Sequence, residues 1–138
     1  MIRMKDLLKE ADAKAADSFG TFFVKMLAVR DQAHVYHWQT ESFAQHKAFG
    51  EFYDDYLELV DEIAENIMGV KERPKIGKAT IMLEDYSDEA IKSYLESARK
   101  LFTDELRSIV DEQYSGIFNL ADEITSLINK MQYLLTLK

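Results

Sequence analysis

Apolar residues recur at steps of three and four along most of the chain, and this rhythm predicts four helices. Leu8, Ala11, Ala15, Phe19, Phe22, Met26 and Val29 form one stripe and predict a first helix over 4–39, with Gly20 interrupting but not ending it. A turn at 40–42 follows. Ser42-Phe43-Ala44-Gln45 has the form of a capping box, in which the serine hydroxyl bonds the Gln45 amide and the Gln45 side chain reaches back. The second helix is therefore expected over 43–70, with Phe49, Phe52, Tyr53, Tyr56, Val60, Ile63 and Ile67 inward and Gly69 and Pro74 as stop signals. Residues 71–86 form the one long connection, and IMLEDY at 81–86 predicts a short helix within it. The third helix is expected from Ser87, or from a later capping box at Ser93-Tyr94-Leu95-Glu96, to about Gln113. Gly116 marks the next turn. A fourth helix over 117–137 carries Leu120, Ile124, Leu127, Met131 and Leu134 inward.

Loop lengths turn this pattern into an architecture. The first and last connections are short, so each joins an antiparallel pair. The middle one is long enough to cross a bundle. Two hairpins joined by one long crossover define an all-α, ferritin-like four-helix bundle, expected as a single domain over 1–138.

Composition narrows the chemistry. The chain has no cysteine, which excludes disulfides, thiolate metal sites and cysteine nucleophiles. No apolar run approaches the roughly 18 residues of a membrane span, and the first residues lack a signal-peptide core. A cytoplasmic protein is the expectation. The net charge is −8, and KERPKIGK at 71–78 is the densest basic stretch, so DNA binding is not expected. An acidic surface suits solubility or a cationic partner.

All three histidines, His34, His37 and His46, fall in thirteen residues. Asp61 and Glu65 follow, four apart and on one helical face, a spacing at which carboxylates share a cation. On a helix as acidic as this one, such residues are also ordinary solvated charges. His37 near the end of the first helix and His46 early in the second lie across one short turn, a spacing that allows their rings to approach. Yet His46 and Glu65 are 19 residues apart, about 28 Å along a helix rising 1.5 Å per residue. No glutamate precedes a histidine by three, so Glu-x-x-His pairs within one bundle are also excluded. A common site must be shared between chains. Two copies of the second helix, antiparallel about a two-fold axis near 54–55, would bring His37 and His46 of one chain to Asp61 and Glu65 of the other, making two equivalent sites. Imidazole and carboxylate without sulfur suit iron, zinc or manganese.

At these residues the sequence resembles the Dps mini-ferritins. The matching features are His37-Trp38 at the end of the first helix, Phe43 before His46, and Asp61-Glu62-Ile63-Ala64-Glu65 at the family's spacing. The resemblance implies a hollow dodecamer of ferritin-like bundles. Iron(II) would bind at the dimer interface through His37, His46, Asp61 and Glu65. It would be oxidised there by hydrogen peroxide or oxygen and stored as ferric mineral. Trp38 would correspond to the family's aromatic beside the site; the plainer reading makes it a core anchor at the helix end. Glu58 and Asp122 are candidates for mineral nucleation, more simply read as solvated charges.

Three departures qualify the match. The turn between His37 and His46 is three residues shorter than usual; His34, twelve before His46, has the family's count but is followed by Val35. His34 is thus an extra candidate ligand, or a packed helical histidine. The acidic residue often found four after the second histidine is Gly50 here. The lysine-rich DNA-binding tail of some members is missing, and Gln113-Tyr114-Ser115-Gly116 replaces the usual last loop. The contrasting expectation is a redox-inactive ferritin-like structural or interaction protein, its dimer stapled by zinc.

Overall fold

The computed structural model describes residues 18–137. The expected helical stretch at 4–17 lies outside the described residues. The described chain is all-α: α1 (Ser18–Gln39), α2 (Phe43–Val70), α3 (Asp88–Lys100), a π-helical turn (Leu101–Glu105), α4 (Leu106–Ile109) and α5 (Ser115–Leu134). No strand occurs among the described residues. None of their helices is long and apolar enough to cross a membrane.

Helix α2 begins and ends where the sequence pattern places it. Ser42 accepts the Gln45 amide at 3.3 Å, so half of the capping box forms. The reciprocal half does not. Gln45 Oε1 instead accepts the Thr40 hydroxyl at 2.8 Å and the Tyr86 hydroxyl at 2.5 Å, and Thr40 Oγ1 takes the Ser42 amide. The turn is thereby tied to the long connection.

Side-chain contacts give the helix directions. Tyr56 bonds the Met26 carbonyl while His46 meets His37, so α1 and α2 are antiparallel. Lys25 reaches Glu105 while Tyr94 bonds the Val29 carbonyl, which sets α1 against the α3 segment in the same sense. Arg99 bonds Gln132 and Arg107 bonds Asp122, so α5 runs against α3. The order is up, down, down, up. Helices α2 and α3 are parallel neighbours in sequence, and residues 71–87 run the length of the bundle between them.

This connection is extended, and the short helix expected at 81–86 is absent. Its backbone groups are taken by α1 instead. Gln32, a buried polar side chain, donates to the Glu84 carbonyl at 2.9 Å and accepts the Glu84 amide at 2.7 Å. Gln39 accepts the Tyr86 amide at 2.6 Å. A segment whose backbone groups find partners on a neighbour has no need of its own helix.

The third helix starts at the first of its two expected places, capped by Ser87 on the Ala90 amide. It ends at Ile109 rather than near Gln113, and Gly116 lies inside the first turn of α5. At the π-helical turn the Leu106 amide bonds the Leu101 carbonyl, five residues back. The wider turn lets Leu101, Phe102 and Leu106 all point inward. Phe102 meets Phe22 of α1 and Tyr56 of α2 edge-on, at 5.9 and 6.0 Å between ring centres. Three helices thus lock together at mid-bundle.

Candidate functional site

His37 stands in the last turn of α1 and His46 in the first turn of α2. Their rings stack at 3.7 Å between centres, with planes inclined by 19°. His46 Nδ1 donates to the His37 carbonyl at 2.8 Å, and His37 Nδ1 donates to the His46 carbonyl at 2.6 Å. The first bond satisfies one of the carbonyls that a helix C-terminus leaves without a helical partner. The two residues form a reciprocal clasp across the turn. With hydrogen on both Nδ1 atoms, each neutral ring carries its lone pair on Nε2. An Nδ1–H bonded to a backbone carbonyl is the usual support of a metal-ligating histidine.

The clasp also limits what the pair can do. A lone pair lies in its ring plane, and planes 19° apart do not converge within the ~2 Å of a metal–nitrogen bond. In this arrangement the two rings do not share one ion; each offers a separate ligand.

His34 is drawn to other partners. Its ring lies 4.3 Å from Trp38 and 4.5 Å from Tyr53, closer than the 6.1 Å to His37. This favours the packed-histidine reading over that of a ligand. Trp38 is not the core anchor that its place at the helix end suggests: it is 68% exposed, because it sits on the outer face of α1 and covers His34. The apolar pattern places Tyr53 only on the inward face of the second helix and gives it no part beside the histidines. Tyr53 is edge-on to His37 at 5.4 Å, stacked on His34, and beneath the Arg30 guanidinium at 5.8 Å. Its position seven residues after His46 was the available signal, since that step returns to the same helical face.

Asp61 and Glu65 lie exposed towards the other end of α2, and neither has a hydrogen-bond or ion-pair partner among the described residues. Glu65 shares a shallow surface hollow with Lys71, Glu72 and Arg73. Within one chain the described residues bring no three imidazole or carboxylate groups together at metal-binding distance. The two histidines meet, and the two carboxylates do not join them. Glu58 and Asp122 are exposed, and Asp122 pairs with Arg107 at 3.0 Å, as a solvated charge would. A groove of about 830 Å³ between α1, residues 82–84 and α3 contains none of the three histidines.

Two tyrosines, Tyr56 buried and Tyr94 half-buried, hold α1 in place beside this site. Tyr56 donates to the Met26 carbonyl at 2.8 Å and Tyr94 to the Val29 carbonyl at 2.6 Å. Burial pushes both phenols well above their ordinary value, each with a smaller contribution from another tyrosine nearby.

The chain belongs to a family of unknown function, DUF5856, whose model matches residues 37–135 and so spans His37, His46, Asp61 and Glu65. It is similar to an uncharacterized 14.6 kDa protein from the mobD–ri intergenic region of Enterobacteria phage T4. The two are 28% identical over 113 residues, which cover 82% of this chain and 84% of that protein. No solved structure matches the chain.

Proposed function

We propose that this protein is an iron-handling mini-ferritin whose oxidation site is completed by a second copy of the chain. The carrying observation is the histidine clasp, which leaves two imidazole Nε2 lone pairs at one end of α2 while Asp61 and Glu65 stand without partners towards the other. Antiparallel packing of two α2 helices brings the unlike ends together twice.

The up, down, down, up order with an extended crossover supports a ferritin-like bundle. The outer face of the hairpin supports self-association. Phe43 is 79% and Trp38 68% exposed beside the histidines. Gly50, Leu57, Ala64 and Met68, at steps of seven and four on α2, form a half-buried stripe of small or apolar residues.

In this reading iron(II) is the substrate. Each imidazole binds an ion in neutral form, and the carboxylates of the second copy offset the charge and favour iron(III). Two iron(II) ions supply the two electrons that reduce one hydrogen peroxide to hydroxide. The assembly is a closed cage, up to a dodecamer, that keeps the ferric product soluble. Zinc fits the same ligands as a redox-inert substitute. The acidic surface gives no platform for DNA.

One observation favours the second reading, a redox-inactive helical interaction protein. The histidines already have structural work, tying α1 to α2 through their Nδ1 atoms. Anaerobic iron(II) loading followed by peroxide separates the two. A rapid rise in ferric absorbance, within a soluble particle much heavier than a dimer, supports the mini-ferritin. Oxidation no faster than in buffer, with iron precipitating outside the protein, overturns it.

A further inference from the structure

Gly50 lies one turn after His46, inside α2. Glycine is a poor residue for a helix interior, so its use there calls for a reason other than helix formation. A Cβ built at Gly50 would stand 3.1 Å from His37 Cε1 and 3.3 Å from His37 Nδ1. Comfortable contact between carbon atoms begins at about 3.5 Å. The ring has little freedom to retreat. Its Nδ1 is tied to the His46 carbonyl at 2.6 Å, it stacks on His46 at 3.7 Å, and Tyr53 meets it edge-on at 5.4 Å. The other glycine of this helix, Gly69, makes the contrast: a Cβ there meets nothing within 4 Å.

We infer that Gly50 is a positioning residue, the steric seat that holds the His37 ring in the clasp and keeps a side-chain carboxylate out of this half of the site. This rests on the metal-binding role proposed for His37. By its place after His46, Gly50 first reads as a lost acidic ligand. The geometry assigns it the opposite part. A side chain at residue 50 would crowd the imidazole, which would have to move by a few tenths of an ångström against its ties to His46 and Tyr53. The histidine half-site therefore has no carboxylate at position 50, and its negative ligands come from Asp61 and Glu65 of a second copy. Binding of a divalent cation is thereby coupled to pairing of two chains.

The test compares Gly50→Ala with Gly69→Ala in the full-length protein. Imidazole nitrogen–proton correlation spectra report the clasp directly. Wild type and Gly69→Ala are expected to show two Nδ1–H imidazoles protected from solvent exchange, and Gly50→Ala to lose that of His37. Titration with cobalt(II) or zinc(II) is expected to show at least tenfold weaker binding for Gly50→Ala and unchanged binding for Gly69→Ala. Retention of the His37 Nδ1–H signal in Gly50→Ala overturns the inference, as does wild-type metal affinity in that variant. Absence of metal binding in the wild type overturns the proposed function instead, and the spectra then judge the seat alone. A thermal-melt cycle covers the case in which Gly50→Ala folds poorly. In a His37→Ala background the added methyl meets no ring, so Gly50→Ala should no longer destabilise. An equal loss with and without His37 overturns the inference.

Discussion

At the start of α2, His46 is tied to His37 by two hydrogen bonds and a ring stack, while Asp61 and Glu65 further along the same helix touch no described polar partner. The first end is organised by its own chain. Glycine at position 50 leaves room for a ring, and a three-residue turn brings the two imidazoles together. The other end has the right residue types at the right spacing and, among the described residues, no polar partner to orient them. Ligand groups gain affinity when their own contacts hold them in place. In the proposed reading, one chain orders the histidine half of the site and leaves the carboxylate half to be ordered by what packs against it.

The sharpest way to break this comparison is to remove the unsupported end. Asp61→Asn with Glu65→Gln is expected to weaken metal binding at least 100-fold while leaving the melting temperature nearly unchanged, because neither carboxylate has a partner within the described chain. A large loss of stability would show that these residues act in the fold. His46→Ala should do the reverse on stability. It removes a bond to the α1 terminus and the support of His37, at a cost of about 1–2 kcal/mol in chemical denaturation. A neutral result would mean that the clasp does not hold the hairpin.

Next in size is Tyr56→Phe, expected to cost about 1 kcal/mol through the lost bond to the Met26 carbonyl. It also alters the response to alkali. The Tyr56 and Tyr94 phenols titrate well above 10.0 in the folded protein, chiefly because they are buried. As pH rises past 10 the unfolded chain gives up these protons first. Their contribution is therefore fully present below pH 10 and falls as pH climbs above it. Urea titrations between pH 9 and 11 should show that decline, shallower in Tyr56→Phe. The smallest effect belongs to Trp38→Ala. Its exposed ring should matter by no more than about 0.5 kcal/mol to the isolated chain. Sedimentation should nonetheless reveal weaker self-association, and an unchanged assembly would remove Trp38 from the interface.

Much of the fold was legible because helical signals are local. The serine caps at Ser42 and Ser87 and the period of the apolar stripe of α2 depend on residues within a few positions of one another. What escaped reading depended on distant partners. The 81–86 stretch has the composition of a helix, yet Gln32 and Gln39, more than forty residues away, take its backbone groups. The π-helical turn arises where Leu101, Phe102 and Leu106 must all reach a core shared with Phe22 and Tyr56. The site divides in the same way. The meeting of His37 and His46 followed from a short turn, whereas Trp38 read equally well as core until its exposed face was seen.

The sequence by itself determined the helices, the short turns and the separation of imidazoles from carboxylates along one rigid rod, since a helix of known rise places its residues whatever surrounds it. Only the tertiary structure decided how the histidines are used. Ring stacking, the choice of Nδ1 as donor and the space above Gly50 arise between two helices, and they depend on distances of a few tenths of an ångström that no linear pattern encodes.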